Sequence, residues 1–170
     1  NLTNNWGDFD NDGDHDIIME GHIKLYDKDD NYIILKPNIN YDEIIIEAAD
    51  FNNDGLTDIL IQIKIPFEND QVIIRFNQGN NQFGQPIVIH NKYDYTDISV
   101  GDIDNDGDID IAAILEFEDI PIVILFNQNG TFTERELKHK FDISRTTIKL
   151  HDLDGDNDLD IMTSGIFDDI

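Results

Sequence analysis

Asp8–Asp16 reads DFDNDGDHD, and the phrase returns as DFNNDGLTD at Asp50–Asp58, DIDNDGDID at Asp102–Asp110 and DLDGDNDLD at Asp152–Asp160. The first Asp of each phrase follows the last by 42, 52 and 50 residues, a pitch that marks a repeat architecture. These four windows hold 18 of the chain's 29 Asp residues. The acidity is therefore concentrated where a cation can use it.

Each phrase is flanked alike. A short apolar segment, strand a, leads in (EIIIEAAD, TDISVGD, TTIKLHD, and a stub NNWGD), and a second, strand b, leads out (HDIIME, TDILIQI, DIAAIL, DIMTSG). Ile59, Ile61, Ile63 and Ile65 alternate with Leu60, Gln62 and Lys64, the period of two that turns one face of a strand to a core. Further on, IKLYDKDDNYIIL from Ile23, VIIRFNQGNNQFGQPIVI from Val72 and IVILFNQNGTFTEREL from Ile122 are apolar runs split by Asn, Asp and Gly. These read as hairpins of strands c and d.

The pattern predicts an all-β chain built as a β-propeller of four-stranded antiparallel blades. About three and a half blades are expected, at residues 1–41, 42–93, 94–143 and an incomplete 144–170, forming a single partial β-propeller over 1–170. Phe167–Ile170 (FDDI) repeats Phe117–Ile120 (FEDI), which places the last residues inside a connection between strands b and c. The chain opens NLTNNWGD, without an initiator Met. Both features lead to the expectation of a piece of a longer propeller, or of blades completed by partner chains through self-association.

Composition narrows the class. A net charge of −26 repels phosphate backbones and anionic lipid, and no apolar run is long enough to span a bilayer. Neither nucleic acid nor direct membrane insertion is expected. Thirty Ile against four Ala favours pleated sheet over helix. The absence of Cys removes disulfides, thiolate nucleophiles and thiolate zinc sites.

The spacing D-x-[DN]-x-[DN]-G-x-x-D offers side-chain oxygens at loop positions 1, 3, 5 and 9 and a main-chain carbonyl at position 7. Hard oxygen donors at this density suit Ca²⁺, whereas Mg²⁺ prefers a smaller, wetter octahedral shell and Zn²⁺ prefers nitrogen or sulfur. An EF-hand would need a bidentate Glu at position 12. Met19, Ile61, Ala113 and Thr163 stand there, so that motif is excluded. Gly13, Gly55 and Gly107 at position 6 permit a sharp turn, and Asn157 takes that place in the fourth loop.

On these loops, and on the turns at Asn77–Phe83 and Asn127–Phe132, the chain resembles the FG-GAP and VCBS repeat family. The resemblance implies a calcium-loaded β-propeller of about seven blades, as in integrin α-subunit heads, with about four Ca²⁺ held in this chain. The ligands it implies are Asp8, Asp10, Asp12, Asp14 (through its carbonyl) and Asp16 in the first loop, and Asp50, Asn52, Asp54, Leu56 (carbonyl) and Asp58 in the second. The third loop supplies Asp102, Asp104, Asp106, Asp108 (carbonyl) and Asp110, and the fourth Asp152, Asp154, Asp156, Asp158 (carbonyl) and Asp160. The neutral Asn52, the Gly155 and Asn157 arrangement, and KDDNY in place of a glycine turn in blade one depart from the family pattern.

The function expected is an extracellular or cell-surface, calcium-binding propeller module for adhesion or recognition of a protein or glycan, without catalysis. The alternatives are a self-assembling surface or filament subunit, and the propeller domain of a secreted polysaccharide-degrading enzyme. Aromatic-acid segments at Phe67–Asp70, Phe117–Asp119 and Phe167–Asp169 lie opposite the acidic loops, where the resemblance also implies ligand binding; the simpler expectation is that each Phe anchors its own turn. Trp6 is expected in the core. The five His share no spacing and no partner motif.

Overall fold

The computed structural model describes residues 6–19, 22–27, 29, 31–35, 43–115, 122–137 and 144–166. Its elements are strands, arranged as four antiparallel sheets of two to four strands. Among the described residues no helix is long and apolar enough to cross a membrane.

The first sheet runs β1 (Trp6–Gly7), β2 (Asp16–Met19), β3 (His22–Tyr26) and β4 (Tyr32–Leu35), each hydrogen-bonded to the next. The second is the same meander in β5 (Glu43–Ala49), β6 (Asp58–Ile63), β7 (Gln71–Arg75) and β8 (Ile87–His90). The third comprises β9 (Tyr95–Gly101), β10 (Asp110–Leu115), β11 (Ile122–Gln128) and β12 (Thr131–Leu137). The fourth pairs β13 (Ser144–His151) with β14 (Asp160–Ile166). The chain divides into two compact units, Asn1–Lys92 and Tyr93–Ile170.

In the first unit, Ile18, Ile23 and Leu25 of the first sheet meet Ile45, Ile59, Ile61 and Ile73 of the second, with Phe9 closing the cluster. In the second unit, Ala112, Ile114 and Ile122 pack with Ile148, and Leu150 and Ile161 lean against them. Two side chains of β9 also reach β13: Ile148 N donates to Asp97 Oδ2 at 3.0 Å and Leu150 N to Ser99 Oγ at 3.3 Å. Apolar burial drives this packing at about 25 cal/mol per Å².

Two sequence expectations change. The alternation in β6 suggested one buried face, yet Leu60 and Gln62 are buried along with Ile59 and Ile61, as in a central strand covered on both sides. Trp6, expected in the core, is 55% exposed, with its ring edge-on to His15 at 4.6 Å. Its strand β1 is an edge of the first sheet. The turn between β3 and β4, which lacks glycine, closes instead around Asp27, whose Oδ1 accepts the N–H groups of Asp29 and Asn31.

Candidate metal centre

Each acidic phrase links the two strands of an antiparallel pair: β1 to β2, β5 to β6, β9 to β10 and β13 to β14. To turn so tightly, the loop passes through the left-handed region twice. Asn11 and Gly13 do so in the first loop (φ 61° and 92°), Asn53 and Gly55 in the second, and Asn105 and Gly107 in the third. The fourth exchanges the two residues, with Gly155 at position 4 (φ 81°) and Asn157 at position 6 (φ 72°). Its departure from the family pattern thus preserves the backbone path, because Gly and Asn are the residues that tolerate this region. The special role of position 4 was missed in the sequence, although Asn at 11, 53 and 105 signals it.

The carboxylates at positions 1, 5 and 9 brace the loops in three ways. At position 1, Asp8 accepts Asp12 N at 3.1 Å and Gly13 N at 3.0 Å, and Asp50 and Asp102 brace their loops the same way. Asp152 accepts the N–H groups of Gly155 and Asn157. At position 5, Asp12, Asp54, Asp106 and Asp156 each accept the N–H of the position-7 residue, Asp14, Leu56, Asp108 and Asp158, at 2.9–3.0 Å. At position 9, Asp16, Asp58 and Asp110 are buried. Their Oδ2 atoms accept Phe9 N, Phe51 N and Ile103 N, and their Oδ1 atoms accept Tyr26 N, Asn77 N and Asn127 N. Asp160 accepts Leu153 N.

The structure brings positions 1, 3 and 9 together. Ligand atoms of Asp8, Asp10 and Asp16 lie within 4.8 Å of one another, as do those of Asp102, Asp104 and Asp110 and of Asp152, Asp154 and Asp160. The position-5 carboxylates and the side chains at position 7 stand outside these triads. In the second loop position 3 is Asn52, whose Nδ2 donates to Asp54 Oδ2 at 3.0 Å.

Burial sets the electrostatics. It is the main cause that pushes the Asp10, Asp16 and Asp110 carboxyls above the usual carboxylate range, and the neighbouring acids of each loop add to the shift. Asp58 is pushed up to about 7, again chiefly by burial and against the backbone N–H groups of Asn77 and Phe51. Such a cluster disfavours its own ionisation and gains from a bound cation.

The donor set passes a fit test for a hard divalent ion. Asp10 Oδ1 is buried and accepts no hydrogen bond, inside a triad made only of carboxylates. A buried unpaired carboxylate oxygen is costly, and a hard cation satisfies it.

Away from these loops, Phe67 is fully exposed and sits at φ 66°. It does not anchor its turn, as the sequence suggested. The matching segments Phe117–Asp119 and Phe167–Asp169 lie outside the described residues.

No curated protein sequence matches the chain. Among solved structures it is similar to an Agrocybe aegerita lectin described by its specific recognition of non-reducing terminal N-acetylglucosamine, with a TM-score of 0.67 and 18% sequence identity. The match covers 93% of this chain and 46% of that one, so the chain spans about half the length of the lectin, and the likeness is one of fold. Residues 50–113, from the second acidic loop through the third, match the family model of the FG-GAP-like repeat. The chain carries an FG-GAP-like repeat in that segment, as its acidic loops had indicated.

Proposed function

We propose that this chain is a calcium-binding β-propeller module that recognises a glycan or protein outside the cell and performs no catalysis. The observation that carries the metal part is the buried, unpartnered Asp10 Oδ1 within the Asp8, Asp10 and Asp16 triad. Asp8, Asp10 and Asp16 would hold the ion in the first loop, and their equivalents in the others, with about four ions in all. Bound calcium would neutralise clustered carboxylates that otherwise repel one another. Position 1 already holds the turn closed, and position 9 ties it to the sheet.

The recognition part rests on the likeness of fold to a glycan-recognising lectin and on the exposed Phe67 ring. An aromatic face with nearby acids offers stacking and hydrogen-bond acceptance to a sugar. A glycan array probed in about 2 mM calcium and again in EGTA tests this reading. Binding to a defined glycan class that weakens at least tenfold in EGTA and in Phe67→Ala supports it, and a blank array beside a positive lectin control counts against a glycan ligand.

One observation favours self-association as a second reading. Trp6, Ile17 and Met19 are exposed in the first sheet. The residues 42 positions later, Ala48, Ile59 and Ile61, belong to the interface that the first sheet covers. Sedimentation over a range of concentrations would show a second copy covering that face, and a Trp6→Lys change would abolish the larger species.

A further inference from the structure

We infer that Asn77 couples the first two acidic loops, so that an ion in either raises the affinity of the other; this rests on the calcium reading above. Asn77 lies near the turn after β7, outside both loops, and is 3% exposed. Its Nδ2 donates to the Phe9 carbonyl of the first loop at 2.8 Å and to the Thr57 carbonyl of the second at 3.1 Å. Its backbone N–H donates to Asp58 Oδ1 at 2.8 Å, and its Oδ1 accepts Gly79 N at 2.9 Å. All of its polar groups in these bonds are committed, so the side chain has one orientation.

Phe9 stands between Asp8 and Asp10, and its own N–H is held by Asp16 Oδ2 at 2.7 Å. Its peptide groups are therefore fixed when Asp8, Asp10 and Asp16 converge. A fixed Phe9 carbonyl orients the Asn77 amide, whose backbone holds the Asp58 carboxylate, and Asp58 in turn fixes the second loop through Phe51 N at 2.9 Å. The ordering paid for by the first ion is not paid again by the second. Such coupling is reciprocal: each site must change the other by the same factor. Asn77 is a positioning residue, since it touches neither ion site with a ligand atom of its own.

Calcium titrations of the ¹⁵N-labelled chain followed by NMR resolve the two loops, because Gly13 N–H is bonded to Asp8 and Gly55 N–H to Asp50. Removing a charge from the first loop by Asp10→Asn should raise the calcium midpoint read at Gly55 about fivefold or more, the lower end of common coupling strengths. In an Asn77→Ala background, which keeps the backbone bond to Asp58, the same change should leave the Gly55 midpoint within about twofold. Should Asn77→Ala fail to fold, Asn77→Asp carries the test: it keeps the size of the side chain but removes the Nδ2 donor to Phe9 and Thr57, and should likewise leave the Gly55 midpoint within about twofold on Asp10→Asn. Both glycines responding to calcium independently overturns the coupling alone. Neither responding overturns the calcium reading and the coupling with it.

Discussion

Asp16 and Tyr26 are joined across ten residues by one bond, Tyr26 N to Asp16 Oδ1 at 2.8 Å. Asp58 with Asn77 and Asp110 with Asn127 repeat it, both at 2.8 Å. The last Asp of these three phrases is thus a buried bracket between loop and sheet as well as a candidate ligand. Deleting it should destabilise the fold even without metal. Asp110→Ala removes two bonds to a buried carboxylate and should cost about 2–4 kcal/mol in EGTA. Asp104→Ala, at an exposed position in the same triad, should change stability in EGTA by less than about 0.5 kcal/mol and weaken calcium binding. Urea denaturation with and without calcium checks both.

The pH dependence follows from the same burial. Asp58 is raised to about 7 against an ordinary value of 3.8, so the metal-free folded state holds this proton more tightly than the unfolded chain. Its contribution is fully present below the unfolded value and is lost as pH rises through about 7. Asp10, Asp16 and Asp110 are shifted in the same direction. The melting temperature in EGTA should therefore fall between pH 5 and pH 8, and Asp58→Asn should flatten that fall. Calcium should oppose it, because it favours the ionised carboxylates. Differential scanning fluorimetry across this range reads all three.

The turn geometry makes a conformational prediction. A Cβ added at Gly107 would meet nothing within 4 Å, so any cost of Gly107→Ala comes from its φ of 94°. That cost should be about 1–2 kcal/mol. Gly107→Asn should cost less, since Asn157 occupies the equivalent position at φ 72°. Paired denaturation curves of the two variants decide the order.

The second loop offers a gain of function. Asn52 is neutral and directs its Nδ2 at Asp54 Oδ2, where the other loops place a third carboxylate. Asn52→Asp should raise calcium affinity in this loop, measured at the Gly55 amide. A lower affinity would contradict the assignment of position 3 as a ligand.

Local signals made much of this legible. The run VIIRF at Val72–Phe76 predicted a strand, and β7 spans Gln71–Arg75; the four acidic phrases fall on four strand-to-strand turns. What spacing alone hides is partnership at a distance. Asp58 reads as a ligand, and nothing in the phrase shows that its carboxylate also holds an N–H nineteen residues away. The period of two in Ile59–Ile65 reports which residues share a face, but not whether the opposite face is covered too; Leu60 is fully buried. Trp6 is expected in the core because strand a of a propeller lies nearest the axis, yet its place on an edge strand leaves it exposed.

The central claim is that the acidic loops hold calcium, and isothermal titration of calcium into the chelator-stripped chain, paired with melting curves, tests it most directly. At about 2 mM calcium and a dissociation constant of about 0.1 mM, each filled loop adds about 1.8 kcal/mol by mass action. The account predicts binding heat approaching four ions per chain and a melting temperature that rises steeply with calcium. No binding heat, with a melting curve unchanged between calcium and excess EGTA, would contradict it.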